Sequence, residues 1–338
     1  MALASAAHAA TEDRLVGMRI VVALGGNALL PRGVDLTMGR QREAVRGASE
    51  ALAAVTAGHQ LVVTHGNGPQ VGLLAMQAAA YDAGNDLTLD ILDAESAGMV
   101  GYVIEQELGN QLPPGRSVVT VLTTTLVSRT DPAFLEPTKF VGPVYDSEQA
   151  RRLEDYRGWR FRPDGTWFRR VVPSPAPLAV EPVQPIGVLL DLGYVVICGG
   201  GGGVPVSVGE HGLEGVEAVV DKDAVSALIA EQLHADLLVI ATDVTGVHEG
   251  WGTPHSHQLR LLDMVDLEVT SLQAGSMRPK VEAAARFSRT GGRAVIGSLA
   301  ELHDLVEGHA GTQVVDSSAL PARRDDGCFA GHETSRIP

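Results

Sequence analysis

The chain has 338 residues, 45% of them hydrophobic and only 4% aromatic, enough apolar material for a large core divided between two lobes. A formal net charge of -15 weighs against a nucleic-acid or anionic-membrane surface, so any anionic ligand must be drawn in by a local positive pocket. No apolar run is long enough to cross a bilayer, and two cysteines, Cys198 and Cys328, offer neither a disulfide framework nor a thiolate metal site, which points to a reducing cytoplasm.

In chain order, residues 1–17 read as a flexible extension without the basic start of a signal peptide. The apolar run from Arg19 to Leu24 reads as a buried strand that delivers Gly25, Gly26 and Asn27. A helix over about 37–57 follows, with Val45, Ala48, Leu52 and Val55 on one face and Gly58 as its stop. A second strand over 60–64 enters His65-Gly66-Asn67-Gly68-Pro69-Gln70-Val71-Gly72, where Pro69 suits the start of a helix. Residues 118–127 read as one further buried strand. The composition then changes over 128–172, and Trp159, Phe161, Trp167 and Phe168 mark a small hairpin-bearing subdomain that protrudes as a lid.

The main pattern returns with a strand over 194–198 that runs into five glycines, Gly199 to Gly203. A helix beginning near Asp223 leads to a strand over 237–241, and a second helix from about Pro279 carries Lys280. A strand over 294–296, a helix over 299–306 and a short strand over 312–315 complete the pattern, before a charged, glycine-rich tail over 316–338 that reads as disordered. Strand, glycine loop and helix alternate throughout, which predicts an α/β fold with a mostly parallel sheet covered on both faces. The lobes divide as 18–214 and 215–315. The glycine loops emerge at the carboxyl edge of the sheet, where such folds bind ligands.

Lysine is rare here. Only Lys139, Lys222 and Lys280 occur, against 23 arginines, and each lies in a Pro-, Gly- or Asp-bearing segment. A compact ammonium on a flexible stem can follow a single phosphoryl oxygen through a reaction, whereas guanidinium is a rigid planar fork. Glycine turns let consecutive backbone N–H groups face an anion. Three such loops and three lysines therefore point to a phosphate site, although an isolated lysine or glycine turn is usually only surface or only a turn. The common nucleotide signatures are absent, because no lysine has the P-loop glycines before it and the run from Gly66 reaches Val71 where a third glycine would belong. No G-x-S-x-G elbow occurs either, and His255-Ser256-His257 reads as a solvated turn rather than a metal site.

The strings Ala23-Leu24-Gly25-Gly26-Asn27-Ala28, His65-Gly66-Asn67-Gly68-Pro69-Gln70, Pro137-Thr138-Lys139, the five-glycine run, Val220-Asp221-Lys222-Asp223 and Gly275-Ser276-Met277-Arg278-Pro279-Lys280 together resemble the carbamate kinases of the amino acid kinase superfamily. The resemblance runs collinearly over about 18–315. It implies an open three-layer α/β/α sandwich, a homodimer, and reversible phosphoryl transfer between ATP and carbamate that gives ADP and carbamoyl phosphate, with Mg2+ on the nucleotide. By the same resemblance, Gly25, Gly26 and Asn27 lie beside the transferring phosphoryl group, and Gly66, Asn67 and Gly68 hold carbamate. Lys222 stabilises charge on the transferring phosphoryl group and borders the nucleotide, Lys139 is delivered to the site by the protruding subdomain, Lys280 contacts the nucleotide phosphates, Asp223 organises the lysines, and Asp243 and Met277 border the nucleotide.

Each assignment has a plainer alternative. Asp223 has the alternative of a helix N-cap, although its place against Lys222 favours the organising role, and Asn27 and Asn67 have that of turn residues that tolerate left-handed backbone. Arg278 reads as a surface residue and His65 as a structural one, since an anionic carbamate oxygen needs no base. The chain also departs from the family pattern. Ala23 stands where related kinases carry a lysine, Ala97 where glutamine is frequent and Thr245 where an acidic residue is frequent, and the segment 157–170 is longer than expected. A sister kinase acting on another small acid, or a silent nucleotide-binding homologue, are the competing readings.

Overall fold

The computed structural model describes residues 17–29, 37–81, 87–264 and 277–317, with the side chains at 27, 28, 79 and 81 excepted. The extension up to residue 16, the tail from residue 318, the Gly275-Ser276 pair and the Asn27 side chain lie outside the described residues. Eight strands form the central sheet, in the spatial order Leu261–Asp263, Thr312–Val315, Arg293–Ser298, Leu237–Thr242, Arg19–Leu24, Gln60–His65, Val195–Ile197 and Val118–Thr120. All neighbours pair in parallel except Arg293–Ser298 with Thr312–Val315.

Side chains of a strand alternate between the two faces, so a strand covered on both sides must be apolar at every position. Arg19–Leu24 shows this. Val21 and Ala23 enter one core with Ile186 and Leu190 of the helix Val183–Asp191, Val225 and Ile229 of the helix Lys222–Gln232, and Val281 and Phe287 of the helix Met277–Ser288. Ile20, Val22 and Leu24 enter the other, with Val45 and Leu52 of the helix Met38–Val55, Val100 and Ile104 of the helix Leu89–Gly109, and Leu305 of the helix Leu302–Glu307. These are the three layers of an α/β/α sandwich, and each fully buried Val, Leu or Ile contributes about 1.5–3 kcal/mol toward holding them.

Parallel register delivers the ends of four adjacent strands to one edge: Thr242, Leu24, His65 and Ile197 lead directly into Asp243, Gly25, Gly66 and Cys198-Gly199. One predicted element differs. The strand expected over 118–127 is two strands in two sheets: Val118–Thr120 pairs with Val195–Ile197, whereas Thr124–Val127 pairs with Val204–Val206 and Pro177–Glu181. The threonines between them divert the chain. Thr123 Oγ1 accepts from Gly199 N at 3.0 Å, its carbonyl accepts from Val204 N at 2.9 Å, and Thr125 Oγ1 donates to Gly202 O at 2.7 Å. The sequence reads as one strand across this switch because threonine, being β-branched, suits a strand as valine does.

The predicted subdomain contains a three-stranded antiparallel sheet of Lys139–Tyr145, Trp167–Val172 and Arg160–Asp164, with a hairpin turning at Gly165 (φ +65°). The helix Ser147–Arg157 packs on it behind a capping box formed by Asp146 and Gln149. It meets the main body where Gly72 of the helix Gly68–Tyr81 approaches Gly142 so closely that a Cβ on Gly72 would overlap the Gly142 backbone.

Candidate active site

Asp221 starts the helix Lys222–Gln232. Its Oδ1 accepts from the backbone N–H groups of Asp223 at 3.0 Å and Ala224 at 3.2 Å, which is the N-cap arrangement. Of the two roles the sequence leaves open for Asp223, capping thus falls to Asp221. Asp223 stands in the first turn and is nearly buried. Its Oδ1 accepts from Lys222 Nζ at 2.5 Å and its Oδ2 from Lys280 Nζ at 2.7 Å, so one carboxylate bridges lysines from two helices.

Burial alone would raise the Asp223 carboxyl, but the Lys222 and Lys280 ammonium groups beside it overcome this and hold it below the usual carboxylate range. Burial pulls the Lys222 ammonium below the ordinary lysine value, against the attraction of Asp223. Lys139 reaches in from the subdomain, and its Nζ donates to Asp221 Oδ2 at 2.5 Å. Burial would raise Asp221 as well, and here Lys139 overcomes it. Asp221 therefore serves two neighbours at once, capping the helix through one oxygen and holding Lys139 through the other.

The position of Lys222 is set from behind. Ser226 Oγ donates to the Lys222 carbonyl at 2.7 Å, and Thr64, at the end of the strand Gln60–His65, lies 2.6 Å from the same hydroxyl. The glycine loops close around it. A Cβ on Gly66 would stand 3.9 Å from Lys222 Cδ and 4.0 Å from the backbone nitrogen of Gly26. Gly25 donates its N–H to the Ala241 carbonyl at 3.2 Å, and a Cβ there would stand 3.0 Å from the same oxygen. Lys222, Lys280, Asp223, Gly26 and Gly66 thus come together, and Lys139 joins them through Asp221.

The other candidates are placed as follows. Gly68 opens the helix that Pro69 continues. Asn67 is buried and donates to Asp93 Oδ1 and Ser96 Oγ, each at 2.8 Å. Asp243 follows the strand Leu237–Thr242 at the same sheet edge and accepts from Thr242 Oγ1 at 3.1 Å. Met277 packs half-buried against the core. Arg278 is exposed and pairs with Glu282 at 2.8 Å, away from the cluster. His65 is buried with Nδ1 against the Gly66 carbonyl at 3.1 Å, and burial lowers its pKa to about 4, so it is neutral near pH 7. Thr245 and Gln258 exchange hydrogen bonds, Thr245 Oγ1 donating to Gln258 Oε1 at 2.8 Å and Gln258 Nε2 to the Thr245 carbonyl at 3.1 Å.

The five-glycine run also has a packing reason. Gly199, Gly201, Gly202 and Gly203 all have positive φ, and side chains at 200, 201, 202 and 203 would overlap His65, Asn67, Val220 and Thr125 respectively. The run is glycine because it is wedged between the carboxyl edge and its surroundings. Ala97 also touches it, since a Cβ on Gly200 would stand 3.0 Å from the Ala97 Cβ, so the departure at 97 borders this loop.

A model of the amino acid kinase family matches residues 18–298. The carbamate kinase of Rhizobium meliloti is 51% identical over 306 residues, spanning 89% of this chain and 94% of the relative. That of Haemophilus influenzae is 50% identical over 299 residues, spanning 88% and 96%. Among solved structures, carbamate kinase from Giardia lamblia bound to citric acid has a TM-score of 0.81 at 36% identity, covering 89% of this chain and 99% of that one. The Giardia lamblia enzyme bound to AMP-PNP has a TM-score of 0.78 at 35% identity, with the same coverage of 89% and 99%.

Proposed function

The chain belongs to the amino acid kinase family, among the carbamate kinases, and from that premise we infer how its lysine cluster carries phosphoryl transfer between ATP and carbamate. The enzyme is a phosphotransferase. A carbamate oxygen attacks the γ-phosphorus of ATP, the bond from that phosphorus to the bridging oxygen breaks, and ADP departs as carbamoyl phosphate forms; the reverse step makes ATP. The attacking oxygen is already anionic, so the reaction asks for alignment and charge stabilisation rather than a base. A neutral, buried His65 fits that requirement.

The observation that carries this reading is Asp223 held between Lys222 and Lys280 beside Gly26 and Gly66. Each ammonium has three donors and commits one to Asp223, leaving two for phosphoryl oxygens. The carboxylate keeps two like charges at fixed positions before any phosphate arrives, so little reorganisation is needed when charge develops. Lys222, between the two glycine loops, serves the transferring group, and Lys280 the nucleotide. Lys139, carried by the subdomain and parked on Asp221, adds a third ammonium when the phosphates displace it.

Gly25, Gly26 and Asn27 line the phosphoryl path, Gly66, Asn67 and Gly68 hold carbamate, and Asp243 and Met277 border ATP or ADP, with residues 18–214 and 215–315 as the two lobes. Mg2+ accompanies the nucleotide. The described residues hold no group of three or more His, Cys, Asp or Glu side chains placed for a metal, and both Asp223 oxygens face lysines, a donor set that suits an ion carried mainly on phosphates and water. Bound there, it would supply neutralisation of the phosphate charge. The exposed apolar side chains of Leu73, Met76, Ile91 and Tyr102 on the adjoining helices Gly68–Tyr81 and Leu89–Gly109 support a homodimer. Among the described residues no helix is long and apolar enough to cross a membrane. A cytoplasmic location rests on the cysteine usage, with Cys198 buried and unpaired.

ATP formation from ADP and carbamoyl phosphate, with acetylglutamate and aspartate tried as phosphoryl acceptors in the opposite direction, tests this function. Turnover confined to the carbamoyl substrate is expected. Turnover of another acid would favour a sister kinase, and nucleotide binding without turnover a silent homologue.

A further inference from the structure

Asn67 lies in the loop between the strand Gln60–His65 and the helix Gly68–Tyr81, next to the Gly66 that borders Lys222. Both hydrogens of its amide nitrogen are engaged, one by Asp93 Oδ1 and one by Ser96 Oγ. Asp93 and Ser96 stand one turn apart on the inner face of the helix Leu89–Gly109, and neither is exposed. An amide nitrogen and oxygen have nearly the same shape, so the partners must set which way the group faces. Ser96 sets it. Its single hydroxyl hydrogen is committed to the Leu92 carbonyl at 2.8 Å, with the Asp93 carbonyl at 3.1 Å, so toward Asn67 the Ser96 oxygen can only accept. An Asn67 oxygen turned that way would meet lone pairs.

The consequence falls on the other end of the amide. With the nitrogen held by Asp93 and Ser96, Oδ1 faces away from them as an acceptor with no protein donor among the described residues. Gly201, at φ +69°, covers the amide so closely that a Cβ there would overlap it, which keeps the group from swinging. An oriented acceptor beside the transfer site suits a small acid that brings its own N–H. Carbamate carries an NH2 on the carbon that bears its reacting oxygen; acetate has the same shape but presents a methyl group.

With carbamate as the acceptor, as proposed above, we propose that Asn67 reads the amino group of the substrate through its amide oxygen, and that Ser96 and Asp93 are positioning residues that fix the direction of this amide. The inner face of the Leu89–Gly109 helix then selects an amine-bearing acid over its methyl isostere without touching either.

The test is the ratio of kcat/KM for carbamoyl phosphate to that for acetyl phosphate, each with ADP, in wild type, Ser96→Ala and Asn67→Leu. A site built around a hydrogen bond rejects the analogue that lacks it, so the wild-type ratio is expected at about 100 or more. It should fall about tenfold in Ser96→Ala and approach one in Asn67→Leu, as expected when an oriented polar contact is first loosened and then removed. ADP affinity, measured by titration, should be retained in both variants and reports that each is folded. A wild type that uses both phosphates equally, or variants that lose the same factor on both, would overturn this inference and leave Asn67 a turn residue, with the carbamate kinase reading intact. A wild type that makes no ATP from carbamoyl phosphate would overturn that reading itself, and this inference with it.

Discussion

Lys280 donates to Asp223 across 57 residues of sequence, at 2.7 Å, and the contact joins the first turn of one helix to the first turn of another. Both partners are nearly buried. The pair would be a poor investment for stability alone, since buried ions lose their hydration on folding. Placed where glycine loops meet, it is what the proposed function needs, an ammonium group held ready for phosphate.

Asp223→Asn leaves Lys222 and Lys280 facing each other without a carboxylate, and removal of one partner from a buried ionic cluster costs about 3 kcal/mol or more. The pH dependence has a definite sign. The folded-state pKa of Asp223 is depressed below the unfolded value of about 3.9, so its contribution is present above that pH and is lost as pH falls through the acid range. Thermal melts of wild type and variant should converge as pH drops below about 4. A stability gap that is the same at pH 3 and pH 7 would contradict this account.

Asp93 has the opposite sign. Burial pushes its carboxyl well above the usual range, with the nearby charges of Asp90 and Glu217 adding to the rise against the hydrogen bond from Asn67 and the charge of Lys139. The native state therefore holds a proton that the unfolded state releases, and the group costs stability progressively as pH rises above about 4. Asp93→Asn does not titrate, so its melting temperature relative to wild type should rise between pH 4 and pH 7. A relative melting temperature that stays level or falls over that interval would show that Asp93 is ionised in the folded protein.

Lys139→Ala removes the ammonium supplied by the subdomain and leaves Asp221 able to cap its helix. Turnover should fall roughly 10²-fold, as when one preorganised donor is removed from a transfer site, while ADP affinity changes little. Equal losses in turnover and ADP affinity would move Lys139 from the lid into the nucleotide pocket.

The sheet was legible because strands buried on both faces must be apolar at every position, and glycines at their ends mark where the chain turns; Arg19–Leu24 running into Gly25-Gly26 is such a case. The meeting of Lys222 with Lys280 was legible from the scarcity of lysine. What escaped were duties shared between similar neighbours. Asp221 and Asp223 both suit a helix start, and only the backbone decides that Asp221 caps while Asp223 bridges. Asp93 and Ser96 left a fainter sign: two polar residues at i, i+3 on a helix face otherwise formed by Leu89, Leu92 and Val100. The split of residues 118–127 left none, since Thr123 and Thr125 act through hydrogen bonds to the glycine run rather than through hydrophobic pattern.

The most direct measurement is the initial rate of ATP formation from ADP and carbamoyl phosphate by wild type and Lys222→Arg, with ADP binding and melting temperature followed in parallel. A guanidinium keeps the charge but cannot reproduce the point contact between Asp223 and the Gly66 loop. The rate is expected to fall roughly 10²–10³-fold while ADP binding and melting temperature stay close to wild type. A Lys222→Arg enzyme as fast as wild type would contradict the claim that this ammonium group stabilises the transferring phosphoryl group.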